Sequence, residues 1–165
     1  MYQHILVAID GSDTARFATE GAIRFAKEQN ARLRFIHVVD EDVIYWSAGG
    51  VILDSVFETL RKSGQAILDE AVAAAGRAGV RAETILQETV GKRLPNVIVQ
   101  EAAAWPADLL VLGTHGRGGL EHLLVGSVSE GVVRLSPVPV LLMREQTGKL
   151  PATTSAKDNA REKKG

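Results

Sequence analysis

Cysteine is absent from this chain. That removes disulfides, thiolate nucleophiles and cysteine-held metal, and it suits a reducing cytosol. Excess charge is lacking too: 19 Lys and Arg stand against 20 Asp and Glu, a formal net charge of −1. The whole-molecule field thus gives no reason to expect nucleic acid or an anionic membrane as partner. The opening MYQHILVAIDGS has no basic n-region, and its apolar run is far too short for a signal peptide or a membrane span. A cytoplasmic protein without membrane insertion is the expectation. Histidine is scarce. His4, His37, His115 and His122 lack the i, i+4 pairing with a carboxylate that a zinc helix shows, so no metal site built from protein side chains is expected. His37 reads as a packed strand residue. Trp46 and Trp105 read as packing anchors, with Trp105-Pro106 marking a helix end.

What is present is the material of one globular domain: 165 residues, 45% hydrophobic and 24% charged. HILVAID (4–10) is a short β-branched run closed by Asp-Gly, a strand buried on both faces. Ser12 is placed to cap a helix over 14–30, with Ala18, Ala22 and Phe25 on its inner face. ARLRFIHVVD (31–40) is a second strand, and 41–53 a connection. A long helix follows over about 54–78, with Val56, Leu60, Ile67, Ala71, Ala74 and Ala78 along one face and Gly79 as its stop. RAETILQETV (81–90) alternates like a third strand. Pro95 suits the first turn of a helix reaching Ala104. DLLVLGT (108–114) is a fourth strand, and a helix over about 127–136 turns Val128, Val132 and Leu135 inward. PVPVLLM (137–143) closes the pattern, its two prolines favouring an edge strand.

Five strands alternating with four helices predict a mostly parallel sheet with helices on both faces. Ligands of such sheets bind outside the carboxyl ends of the strands, at the switch point. The first and fourth strands are the most uniformly apolar and so the most central. Past Glu145 the periodicity stops, and EQTGKLPATTSAKDNAREKKG reads as a disordered tail over 145–165.

One stretch stands out: GTHGRGGLEHLLVGSVSEG, residues 113–131, with six glycines between a buried strand and a helix. A glycine-rich loop entering a helix N-terminus presents free N–H groups and the positive end of the helix dipole to an anion. Ser127 and Ser129 add hydroxyls beside those amides, and Arg117 is near enough in sequence to pair with a phosphate. Known phosphate motifs fail, however. Gly91-Lys92 is followed by Arg93, and after Gly116 and Gly118 the third glycine position of a dinucleotide fingerprint holds Glu121. By spacing alone, a phosphate loop and a plain structural turn both stand. Asp10 likewise reads either as a turn-former with Gly11 or as a ligand contact. Ser127 and Ser129 serve equally as helix-start residues, and Val38 as core. A phosphorylation receiver is rejected, because Asp10 follows Ile9 rather than an acid and QETVGK has no aspartate.

Gly113, Gly116 and Gly126-Ser127 are spaced as G-x2-G-x9-G-[ST], which resembles the signature of the universal stress protein family. ILVAIDGSDTA, HVVD at 37–40 and SPVPVLLM are similar to that family's first, second and final strands, so the resemblance covers residues 1–144. It implies a Rossmann-like, adenine nucleotide alpha hydrolase-like α/β fold with a five-stranded parallel sheet of order 3-2-1-4-5, and membership of the ATP-binding branch. It further implies that Ala8, Ile9, Asp10 and Val38 hold adenine, that Gly113 lies near the ribose, and that Gly116, Gly126, Ser127, Val128 and Ser129 receive phosphates. Mg²⁺ or Mn²⁺ would bridge those phosphates. ATP or another adenine nucleotide is thus the expected cofactor, and a homodimer through the last strand, Val138 to Met143, the expected assembly. The expected role is a nucleotide-dependent regulatory or sensor module in the stress response, acting on a regulatory protein partner. The alternatives are a slow ATPase or self-phosphorylating protein, with Ser127 or Ser129 as acceptor, and a nucleotide-free interaction module. Arg117, His115 and Glu121 are the loop residues able to assist phosphoryl transfer, and none is compelled.

Overall fold

The computed structural model describes residues 1–40, 54–114 and 125–144. Among them the order is β1 (His4–Ala8), α1 (Asp13–Gln29), β2 (Arg32–Asp40), α2 (Asp54–Arg77), β3 (Ala82–Thr89), α3 (Leu94–Ala104), β4 (Leu109–Gly113), α4 (Ser127–Leu135) and β5 (Val140–Met143). The strands form one parallel sheet in the order β3-β2-β1-β4-β5, as expected. The tail over 145–165 and the connection over 41–53, with Trp46, lie outside the described residues.

β1 and β4 are central because their runs are apolar on both faces, and their register pairs Ile5 with Leu109 through Ala8 with Leu112. Strand alternation then feeds two cores. Ile5, Val7, Leu33, Phe35, Leu109 and Val111 face α1 and α2, whereas Leu6, Ile36, Leu110 and Leu112 face α3 and α4. Burying a side chain such as Phe35, fully enclosed here, is worth about 1.5–3 kcal/mol. The prolines of PVPVLLM stay outside β5, which begins only at Val140 and forms one edge of the sheet. The strand is therefore shorter than the 137–143 read from sequence.

Helix ends follow the local chemistry. Ser12 caps α1, its Oγ accepting from the Ala15 N–H at 3.2 Å. Gly79 (φ +75°) turns the chain after α2, which lets the Val80 N–H reach the Ala75 carbonyl at 2.9 Å. Trp105 ends α3 and packs in the second core.

Two inner faces differ from the sequence reading. In α2 the buried line is Phe57, Gly64, Leu68, Ala71 and Ala75, and Val56 is 36% exposed. The helix is rotated because Gly64 seats it on His37 and Leu86; a Cβ there would lie 2.6 Å from His37 Cδ2 and 2.9 Å from Leu86 Cδ1. Leu60, Ile67, Ala74 and Ala78 flank that line half-buried. In α4, Val132 is buried but Leu135 is 49% exposed. Here the inward face is set by Gly131, where a Cβ would stand 2.5 Å from Pro95 Cγ on α3. The glycine allows the two helices to approach at the cost of a weaker helix.

Gly131→Ala should therefore lower stability by about 1–2 kcal/mol, since overpacking against a rigid ring outweighs the better helix propensity of alanine. Gly76→Ala in α2, where a Cβ meets nothing within 4 Å, should raise it by about 0.5–1 kcal/mol. Thermal melts of the two variants beside the unmodified protein check both signs.

Candidate functional site

At the end of β1 the chain is held to β2 through its backbone. Ile9 N–H donates to the Ile36 carbonyl at 3.0 Å, and the Ile9 carbonyl lies 2.8 Å from His37 Nδ1. His37 is thus a packed strand residue, as expected, and it has a polar task as well. The Ile9 side chain is buried in the α1–α2 core, so only its backbone faces the strand ends. Ala8 and Val38 lie on the opposite face, packed against the α3–α4 core.

Asp10 folds the turn that follows. Its Oδ1 accepts from the Ser12 N–H at 3.0 Å and from Ser12 Oγ at 2.6 Å, with Gly11 at φ +79° between them. Because the Ser12 proton is committed to Asp10, Thr14 Oγ1 is the donor in its 3.1 Å contact with Ser12 Oγ. The turn-forming role weighed for Asp10 in the sequence is thus present in the structure.

This turn starts α1 directly over the end of β4. A Cβ on Gly113 would lie 3.0 Å from the Thr14 carbonyl oxygen and 3.1 Å from its carbon. Backbone yields less readily than a flexible side chain, so a side chain at 113 would have to push this contact apart by a few tenths of an ångström. The Gly113 carbonyl accepts from Ser129 Oγ at 2.8 Å, and Ser129 is buried. Next to it, Thr114 N–H donates to the Met143 carbonyl at 3.0 Å, and Gly126 N–H donates to the Thr114 carbonyl at 2.7 Å. The two ends of the glycine-rich segment are therefore fastened together at the tip of β4.

Helix α4 begins at this point. Gly126 is its N-cap and contributes no side chain; the first helical bond runs from Glu130 N–H to the Gly126 carbonyl at 2.9 Å. The N–H groups of Ser127, Val128 and Ser129 thus start the helix without a side-chain cap, beside the strand ends of β4 and β1. Ser127 is exposed, Val128 half-buried and Ser129 buried. Such amides with the helix dipole behind them suit an anion. Gly116 and Arg117, with His115, Glu121 and His122, lie outside the described residues. Thr14, in the first turn of α1, and Thr114, beside Gly113, are neighbours that sequence reasoning passed over. Among the described residues no group of three His, Asp or Glu side chains is arranged to hold a metal. A divalent ion here would depend on phosphate oxygens for ligands.

A polar network occupies the same sheet face nearer the β3 edge. Arg34 Nη1 donates to Glu101 Oε1 at 2.6 Å, and Arg34 Nη2 pairs with Glu83 Oε1 at 3.2 Å. The guanidinium stacks over Trp105 at 4.8 Å, and Trp105 Nε1 donates to Glu83 Oε1 at 2.7 Å. Gln87 Nε2 donates to Glu101 Oε2 at 3.3 Å. Burial opposes the charge on Glu83, but the Arg34 hydrogen bond and charge, the Trp105 indole and Arg32 outweigh it and hold the carboxyl below its ordinary value of 4.5. A depressed carboxylate stabilises the fold above its unfolded value and loses that contribution as pH falls through the folded one.

The geometry defines an open parallel α/β protein with an uncapped helix start at its central strand ends. Comparison with known proteins gives the family: residues 1–144 match the universal stress protein family, to which this chain belongs. It is similar to the universal stress protein YxiE of Bacillus subtilis, 36% identical over 151 residues, covering 87% of this chain and all of the other. Among solved structures it is similar to a universal stress protein family member from Burkholderia pseudomallei, 32% identical with a TM-score of 0.71, covering 86% of this chain and 96% of that one. It is also similar to a universal stress protein solved in complex with cAMP, 28% identical with a TM-score of 0.64, covering 87% of this chain and 97% of that one.

Glu83→Gln should narrow its stability difference from the unmodified protein on acidification. The gap in melting temperature measured at pH 7 should shrink as pH falls below about 4.5, the ordinary value at which the unfolded carboxyl takes up its proton, toward the lower folded one. A gap that stays constant from pH 7 to about pH 3 would show that the Arg34 pairing contributes nothing.

Proposed function

We propose that the protein binds ATP or another adenine nucleotide across the ends of β1, β2 and β4, and acts as a nucleotide-dependent regulatory module. The observation that carries this reading is the uncapped start of α4, fastened by the Gly126–Thr114 and Ser129–Gly113 hydrogen bonds to the tip of the central strand. The amides of Ser127, Val128 and Ser129 receive the phosphates, together with Gly116, Gly126 and Arg117 from the loop. Gly113 lies at the ribose, while Ala8, Val38 and the backbone of Ile9 and Asp10 border the base. The cAMP complex of a structural relative supports an adenine nucleotide as the ligand class. Mg²⁺ or Mn²⁺ joins through the phosphates.

Self-phosphorylation, if it accompanies binding, falls on Ser127 rather than Ser129. The Ser129 hydroxyl is buried and committed to the Gly113 carbonyl, whereas Ser127 is exposed at the helix start. The dimer is proposed through β5. On that strand the Pro139 and Met143 carbonyls bond to β4, so the intervening Val140 and Leu142 turn their backbone groups outward for a second copy.

Ser127→Asp tests the phosphate site. The carboxylate suits a helix N-terminus, so stability should be unchanged or up to about 1 kcal/mol higher. It should still weaken ATP at least about tenfold by repelling the phosphates, about 1.4 kcal/mol. Titration calorimetry with Mg²⁺ or Mn²⁺ present reads the affinity; absence of ATP binding by the unmodified protein at millimolar concentration refutes the proposal. Sedimentation equilibrium should give twice the 17.7 kDa chain mass, and a monomer mass at high concentration would remove the β5 dimer.

A further inference from the structure

Val38 and Gln87 are register partners on adjacent strands, β2 and β3. Strand alternation puts both on the sheet face that Ile36 and Ile85 share with α3. Gln87 therefore lies one strand beyond the residue proposed to border the base. It also lines a cavity of about 470 Å³ between the C-terminal half of β3 and α3, together with Thr89, Val97, Gln100 and Glu101.

The orientation of the Gln87 carboxamide is fixed. Glu101 is only 8% exposed, and its Oε1 accepts from the Arg34 guanidinium at 2.6 Å, a charge-assisted hydrogen bond. An ionised carboxylate only accepts hydrogen bonds, so the group Gln87 turns toward Glu101 Oε2 must be its NH₂, at 3.3 Å. The carbonyl Oε1 of Gln87 is thereby aimed away from Glu101, as an acceptor without a partner among the described residues. Arg34 is in turn set by Glu83 and by the face of Trp105. The chain from Trp105 through Arg34 and Glu101 to Gln87 thus presents one oxygen acceptor of defined sense, one strand beyond Val38.

Adenine carries an exocyclic amine at its 6-position, a donor. Hypoxanthine and guanine carry a 6-oxo acceptor there. We propose that Gln87, oriented by Glu101, selects 6-amino purine nucleotides over 6-oxo purine nucleotides by accepting a hydrogen bond from that amine. The proposal rests on the nucleotide-binding reading above and adds to it the residue that chooses the base. A 6-oxo base would set two acceptors against each other and leave both unpaired, and the carboxamide could not rotate to help without losing Glu101. The penalty for such a buried mismatch corresponds to a factor of about ten or more in affinity.

The test compares ATP and ITP, which differ at the 6-position, by calorimetry with Mg²⁺ on the full chain. The unmodified protein should favour ATP about tenfold or more. Gln87→Met, similar in shape but without the acceptor, should bind the two within about twofold of each other, mainly through weaker ATP binding. Glu101→Gln, whose amide can donate or accept, frees the Gln87 carboxamide to rotate and should also collapse the ratio while Gln87 itself remains. This second variant serves if Gln87→Met does not fold, and circular dichroism melts establish which variants are folded. Retention of the ATP preference in a folded variant, or equal affinity for ATP and ITP in the unmodified protein, overturns the inference and leaves the nucleotide site standing. Binding of neither nucleotide by the unmodified protein overturns both.

Discussion

The contact on which the site depends is the approach of α1 to the tip of β4. The Thr14 carbonyl lies so close to Gly113 that even a methyl group there would press on it. That closeness fixes three things. It places the Asp10–Ser12 turn over the central strands, it leaves the Gly113 carbonyl facing α4, where Ser129 takes it, and it brings the start of α4 to the ends of β1 and β4. A side chain at 113 would press on the Thr14 backbone and so disturb the start of α1, from which the other two contacts are set.

The polar network under α3 follows a different logic. A salt bridge in a partly buried place contributes little net stability, because desolvation cancels most of the attraction. Arg34 is nonetheless shared among Glu83, Glu101 and Trp105, which come from β3, α3 and the end of α3. Its value is directional. Each member restricts the geometry of the next, so side chains with many rotamers are held in one arrangement.

Much of this fold could be read from the chain. The uniform apolar runs of HILVAID and DLLVLGT marked the central strands, the prolines of PVPVLLM marked an edge, and Ser12 and Gly79 marked helix ends; the structure has each of these. Helix faces were less legible. The apolar residues of α2 fit two neighbouring faces, and the choice between them was made by a glycine, Gly64, that hydrophobicity does not count. Gly131 was opaque for the same reason, since its role depends on Pro95, 36 positions away in a helix whose packing no local pattern encodes. Around the site, the spacing of Gly113, Gly126 and Ser127 was visible. That Ser129 is occupied by a backbone carbonyl, and that Arg34 orders Gln87 through Glu101, was not, because these are contacts between distant segments.

The hydrogen bond from Gly126 to Thr114 separates the geometry of the helix start from the chain between them. With the ends already joined, a longer or shorter intervening segment changes little besides closure entropy, and doubling its length costs only about 0.6 kcal/mol. The amides at the start of α4 are therefore positioned by this bond and by the Ser129–Gly113 contact.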